Sequence, residues 1–275
     1  MLMHYVRLST VLVVLTVVLA GCSGGGTTTG APTPTDGATT DADTTDATSN
    51  DAGDASSSGL SVSEADDRLR EAGSFTTTWS YSVTDADGTT TAVNDTYRVD
   101  LDDNRSIELF TTDGESAQSE FEIFIADGTS YARYGSGESV FYQASDQPQN
   151  VFDSATGRAS GFYGYLEEDA TFVGTETFDG VTVSRYEYTD VDAWQTYNQG
   201  VTSTTFDTDE EVTITDFSIT VLVDENDVGR LTTWTLVGET EGGDTVSVEW
   251  RYSLTDVGST TVEEPSWLDE AQAQT

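Results

Sequence analysis

The chain has 275 residues, of which 50 are Asp or Glu and only 10 are basic, giving a formal charge of −40 and a pI near 4.1. All ten cations are arginine, and the single histidine (His4) and single cysteine (Cys22) both fall within the first 22 residues. The charge balance repels nucleic acid and anionic membrane surfaces. The body of the chain therefore lacks the side chains for imidazole-based nucleophilic catalysis, lysine Schiff bases, P-loop nucleotide binding, and His or Cys metal and haem sites. Carboxylate chemistry survives, as hard-cation binding or an acid pair such as Glu167 with Glu168 or Glu210 with Glu211. The reading is that the protein is not an enzyme and needs no cofactor or metal.

A compact body this acidic repels itself at ordinary ionic strength, where screening extends over about 8 Å, whereas in molar salt it falls to about 3 Å. The acids are spread along the whole chain instead of forming a tail, and the composition resembles that of halophilic archaeal proteins.

In chain order, residues 1–21 read as a signal peptide: one positive charge at Arg7, a 13-residue apolar run (residues 8–20), and Leu19-Ala20-Gly21-Cys22 as a lipobox. The run falls short of the about 20 residues that a spanning helix needs. Cys22 is the predicted lipid-attachment site, placing the protein on the extracellular face of the cell membrane. Residues 22–59, after Cys22 itself, are Gly, Thr, Ser, Ala and Asp with two prolines and Asn50, too polar to offset the cost of ordering, and are expected to form a disordered tether. A flexible coil of that length reaches about 30 to 36 Å.

Residues 60–275 are expected to form one domain. Residues 61–73 carry helix signals: a Ser cap, early acids, Arg68 and Arg70 late, and Gly73 as stop. Then the apolar period switches to two. Phe75, Trp79, Tyr81 and Val83 share a face, as do Val93, Tyr97 and Val99. Further arms lie around Ile107 and Leu109, Phe121 to Ile125, Tyr131 to Tyr134, Val140 to Gln143, Val181 to Tyr188, Phe217 to Val223, Trp234 to Leu236, and Val246 to Leu254. In the Val181 arm the apolar phase slips between Val183 and Tyr186, implying a bulge or a two-sided strand. The total is about ten strands. Two stretches break the meander, Gln147 to Asp169 and Asp190 to Gln199, and are expected to be irregular helical insertions crossing one face.

The fold class is thus mainly β (α+β): a strongly curved antiparallel sheet, or half-barrel, with an N-terminal helix and helical insertions over its concave face. That cover is thin for the aromatic side chains beneath it, leaving either a self-filled sheet or a cavity for an apolar ligand. The candidate lining is Trp79, Tyr81, Phe121, Ile123, Trp234, Trp250 and Tyr252.

The order of lipobox, tether, helix and interrupted meander resembles the LolA-like and LppX/LprG-type lipoproteins. The helix-to-strand join at Arg70 to Tyr81, the hairpin at Val221 to Leu236 and the stretch from Trp250 to Ala271 are similar to halophilic archaeal surface lipoproteins. The resemblance covers residues 60 to 271. It implies a half-barrel partly plugged by helices, able to hold acyl chains, with no catalytic residues.

Other motifs are weaker. The Asp85 to Gly88 turn and the loop at Asp224 have the residues of calcium loops, but the second has Val228 at its fifth position and Thr235 where a closing Glu belongs, so both read as solvated turns. Asn94 and Asn104 head glycosylation sequons. The expected partners are the membrane, through Cys22, and an apolar ligand; the alternative is a structural or adhesive surface protein without cargo.

Overall fold

The computed structural model describes residues 62–114, 119–135, 137, 139–146, 150–157, 170–191, 206 and 210–273. These lie within one compact unit, Ser57–Thr275. The predicted signal peptide, Cys22, the tether, Glu167, Glu168 and most of the two insertions lie outside the described residues.

Helix α1 (Val62–Ala72) ends where the sequence says it should. Gly73 takes a left-handed φ of +74°, and its carbonyl accepts from the Leu101 N–H at 2.7 Å. A Cβ there would stand 2.6 Å from an Asp102 carboxylate oxygen, the end of an exposed side chain that can turn away, so it is the left-handed φ that calls for glycine.

Eleven strands follow: β1 (Ser74–Thr84), β2 (Thr90–Asp100), β3 (Arg105–Asp113), β4 (Ser119–Ala126), β5 (Thr129–Tyr134), β6 (Phe141–Ser145), β7 (Thr171–Phe178), β8 (Val181–Thr189), β9 (Val212–Asp224), β10 (Gly229–Thr240) and β11 (Thr245–Thr255). Two short helices complete the described residues, α2 (Val151–Thr156) between β6 and β7, and α3 (Leu268–Gln272) at the end. All strands join one antiparallel sheet in the order β6-β5-β4-β3-β2-β1-β11-β10-β9-β8-β7, curved and unclosed. Two meanders meet at the central β1–β11 pair, with Thr76 opposite Thr255. The β4–β5 and β7–β8 turns are Asp127-Gly128 and Asp179-Gly180, both residues of each with positive φ, the backbone that matches strand twist in a two-residue hairpin.

The strand missing from the expected ten is β7. It is an edge strand with no buried residue, so its sequence never had to alternate. In β8 the phase slip proves to be two-sidedness, because its pairing with β9 runs unbroken from Val183 to Thr189 while the bulge lies in β7, between Phe172 and Gly174. Val183 packs on one face with Leu222 and Leu231, and Tyr186 and Tyr188 pack on the other.

Helices α1 and α2 lie over one face, where Leu69, Phe152 and Ala155 cluster with Phe75, Val99 and Leu254. The Phe152 ring meets Phe75 edge-on at 5.7 Å, the Arg70 guanidinium lies 3.6 Å above the Phe152 ring, and the Tyr252 hydroxyl donates to the Ala155 carbonyl at 3.3 Å. The opposite face is also covered. There the segment after β11 lays Val262, Trp267 and Ala271 against Phe124 and Ala126. This second cover does not follow from the strand pattern.

Candidate functional site

Register decides which of the candidate residues meet. Trp79 stands opposite Tyr252, and Tyr81 and Trp234 both stand opposite Trp250, so five of the seven share the helix-bearing face of three adjacent strands. Backbones two strands apart are separated by about 9.5 Å. Yet the Tyr81 and Trp234 rings, two strands apart, lie 6.3 Å from centroid to centroid, as side chains do on the concave side of a curved sheet. Trp79, Trp234, Trp250 and Tyr252 are only 3 to 8% exposed, and with Phe206, Phe217, Ile219 and Leu236 they form the largest buried cluster among the described residues. Burial also pushes the Tyr81 hydroxyl pKa above its ordinary value. Chemically this half is a core of stacked and edge-on rings.

Phe121 and Ile123 lie elsewhere on the same face. By register Asp95 faces Phe110, Phe110 faces Phe121, Phe121 faces Tyr134, and Tyr134 faces Phe141. Four rings on four consecutive strands therefore form one ladder. Phe110 and Phe121 stack at 4.7 Å, Phe121 and Tyr134 tilt together at 6.0 Å, and Tyr134 and Phe141 stack at 4.8 Å. The ladder begins at buried Phe110 and ends at Phe141, which is 60% exposed on edge strand β6. Ile123 borders a small gap of about 30 Å³ beneath α2, walled by Tyr97, Ile125 and Val151 together with Ser106, Glu108, Ser130 and Ser154.

Phe110, Tyr134 and Phe141 are absent from the predicted lining. The alternation at Ile107 and Leu109 belongs to the opposite face, since Ile107 pairs with Phe124, so β3 is apolar on both sides and its less conspicuous phase carries the ladder. One signal was available: each of β3 to β6 has an aromatic at a position that comes into register once the hairpins close, with a second aromatic on the other face of β4, β5 and β6.

The remaining motifs resolve as follows. The Asp224 loop is the β9–β10 hairpin turn: one Asp224 oxygen accepts from the Asn226 and Val228 N–H groups, and the other from Arg230 Nε at 2.7 Å. A carboxylate so engaged has little left for a cation. The Asp85 turn closes by a Gly88 N–H to Asp85 carbonyl bond. Glu210 accepts from the Gly242 N–H. Asn94 is exposed in mid-β2 on the face away from α2, and Asn104 is exposed in the β2–β3 turn with φ of 50°.

Over residues 7–271 the sequence matches the model of a family of unknown function, DUF7537. The chain belongs to that family. No curated protein matches this DUF7537 member. Solved structures similar to it include LprF from Mycobacterium bovis, at 10% identity over 74% of this chain and 97% of that one, with a TM-score of 0.33. MucB in complex with MucA(peri) matches at 13% identity over 77% of this chain and 59% of its own, with a TM-score of 0.26. A LolA superfamily protein from Nitrosomonas europaea matches at 10% identity over 75% and 94%, with a TM-score of 0.22. No helix among the described residues is long and apolar enough to cross a membrane.

Proposed function

We propose that this protein is a non-catalytic extracytoplasmic lipoprotein, held to the outer face of the cell membrane through Cys22 and its tether, that binds a lipid or other apolar molecule on the helix-bearing face of its sheet. One observation carries this reading: the ladder from Phe110 to Phe141 keeps aromatic surface in contact with water where a solid core would have covered it. Burying a fully exposed Phe side chain is worth about 1.5 to 3 kcal/mol, and Phe141, 60% exposed, has a share of that still to gain, so an acyl chain laid along the outer rungs gains affinity without any polar contact.

A second reading, a structural or adhesive surface protein without cargo, draws support from the filled half, where the rings satisfy one another. Native mass spectrometry of protein purified from its host membranes in concentrated salt separates the two. A co-purifying lipid mass is expected, and a bare protein mass leaves the structural reading standing. For the anchor, Cys22→Ser should yield an unprocessed or released form, and unchanged membrane retention would overturn it.

A further inference from the structure

The face away from α2 carries, by register, Arg98, Arg105, Arg133, Arg185 and Arg251, half of the ten arginines in the chain. On that face, between β2 to β5 and the segment that precedes α3, lies an open groove of about 520 Å³. Its charged lining carries both signs: Arg98 and Arg133 against Glu120, Glu122, Glu263 and Glu264.

Part of this lining is fixed by its own contacts. Arg133 donates to Glu120 at 2.9 Å, a bond that raises the guanidinium pKa with further help from Glu122. Trp267 Nε1 donates to Glu122, and Arg105 holds Glu264 at 3.3 Å. The Trp267 ring in turn stacks on Tyr142. The Arg98 guanidinium and the Glu263 carboxylate are both exposed, and neither has a protein partner among the described residues. The groove thus pairs spare donors with spare acceptors in a frame already held in place.

We propose that this groove is a binding site for a neutral saccharide. An anion entering it meets four carboxylates, while for a cation three of these, Glu120, Glu122 and Glu264, are already engaged, which leaves Glu263 with the Arg98 guanidinium in the same groove. A hydroxyl group, which both donates and accepts, can serve both walls at once without introducing a like charge. The volume falls in the range of about 300 to 1,000 Å³ usual for small-molecule sites, and the preset side chains lower the ordering cost of binding.

The test is calorimetric titration of the full chain with a panel of neutral mono- to tetrasaccharides, alongside glucuronate, glucosamine and glycine betaine as anionic, cationic and zwitterionic arms. At least one neutral saccharide should bind. Arg98→Ala and Glu263→Gln should each weaken it about tenfold, the effect of one lost charge-assisted hydrogen bond, with the thermal melt unchanged because both side chains are exposed. Phe141→Ser, on the other face, should leave the affinity as it was. The proposal is overturned if no neutral saccharide binds, if only the charged or zwitterionic arms bind, or if binding ignores both groove variants.

Discussion

Two halves of one sheet use aromatic side chains in opposite ways. Around β1 and β9 to β11, rings from neighbouring strands converge under mutual contact and exclude water; across β3 to β6, one ring per strand is laid in file toward a free edge. Position within the sheet makes the difference. A ring on β11 has neighbours on both flanking strands, whereas Phe141 on β6 has one such strand and open solvent beyond. Aromatic content alone therefore does not mark a ligand surface. On the proposed reading, what marks it is a row of rings that runs out of neighbours.

This contrast can be broken by substitution. Trp250→Ala in the filled half should cost about 3 to 5 kcal/mol, the usual loss for a buried aromatic, whereas half-buried Phe121 should lose less than about half of that on the same change. Denaturant unfolding of the two variants in matched salt measures the gap, and equal losses would mean that the ladder is as much a core as the Trp cluster. A smaller effect is expected at the outer rung. Phe141→Ser should move stability by no more than about 0.5 kcal/mol, yet weaken binding of an environment-sensitive fluorescent fatty-acid probe about tenfold.

The smallest effect concerns the helical cover. Burial raises the Asp66 pKa, with Arg70 pulling it back and Asp153 and Asp67 adding to the rise. Because the folded-state value lies above the unfolded one, this carboxyl contributes stability below the ordinary aspartate pKa, and that contribution is lost as pH climbs through the raised value. Asp66→Asn should flatten this slight decline in a pH series of unfolding curves, and an unchanged slope would place the cause elsewhere on α1.

Much of the architecture was legible from alternation. Half-buried strands such as β1 and β11 must repeat with period two, and Gly73 and the Asp-Gly turns announce themselves through backbone conformations that few other residues adopt. What escaped did so for physical reasons. Edge strand β7 buries no side chain and so leaves no period to read. The cover formed by Val262 and Trp267 depends on where a non-periodic tail happens to lie. Of the seven candidate lining residues, Trp79, Tyr81, Trp234, Trp250 and Tyr252 share one face but sit in the filled half, and three rungs of the ladder were hidden because β3, β5 and β6 carry apolar or aromatic side chains on both sides.

The seam between β1 and β11 has a consequence for biogenesis. Each meander can zip locally, strand upon neighbouring strand, but the join needs a partner synthesised at the far end of the chain. Until that last ribbon arrives, the early hairpins present a raw edge at β1 and have nothing to dock against, and loop closure over such a span is slow. A nascent chain would thus remain vulnerable to proteases and self-association until β11 is made, and a stop codon shortly before Thr245 would leave two unjoined wings in place of a protein.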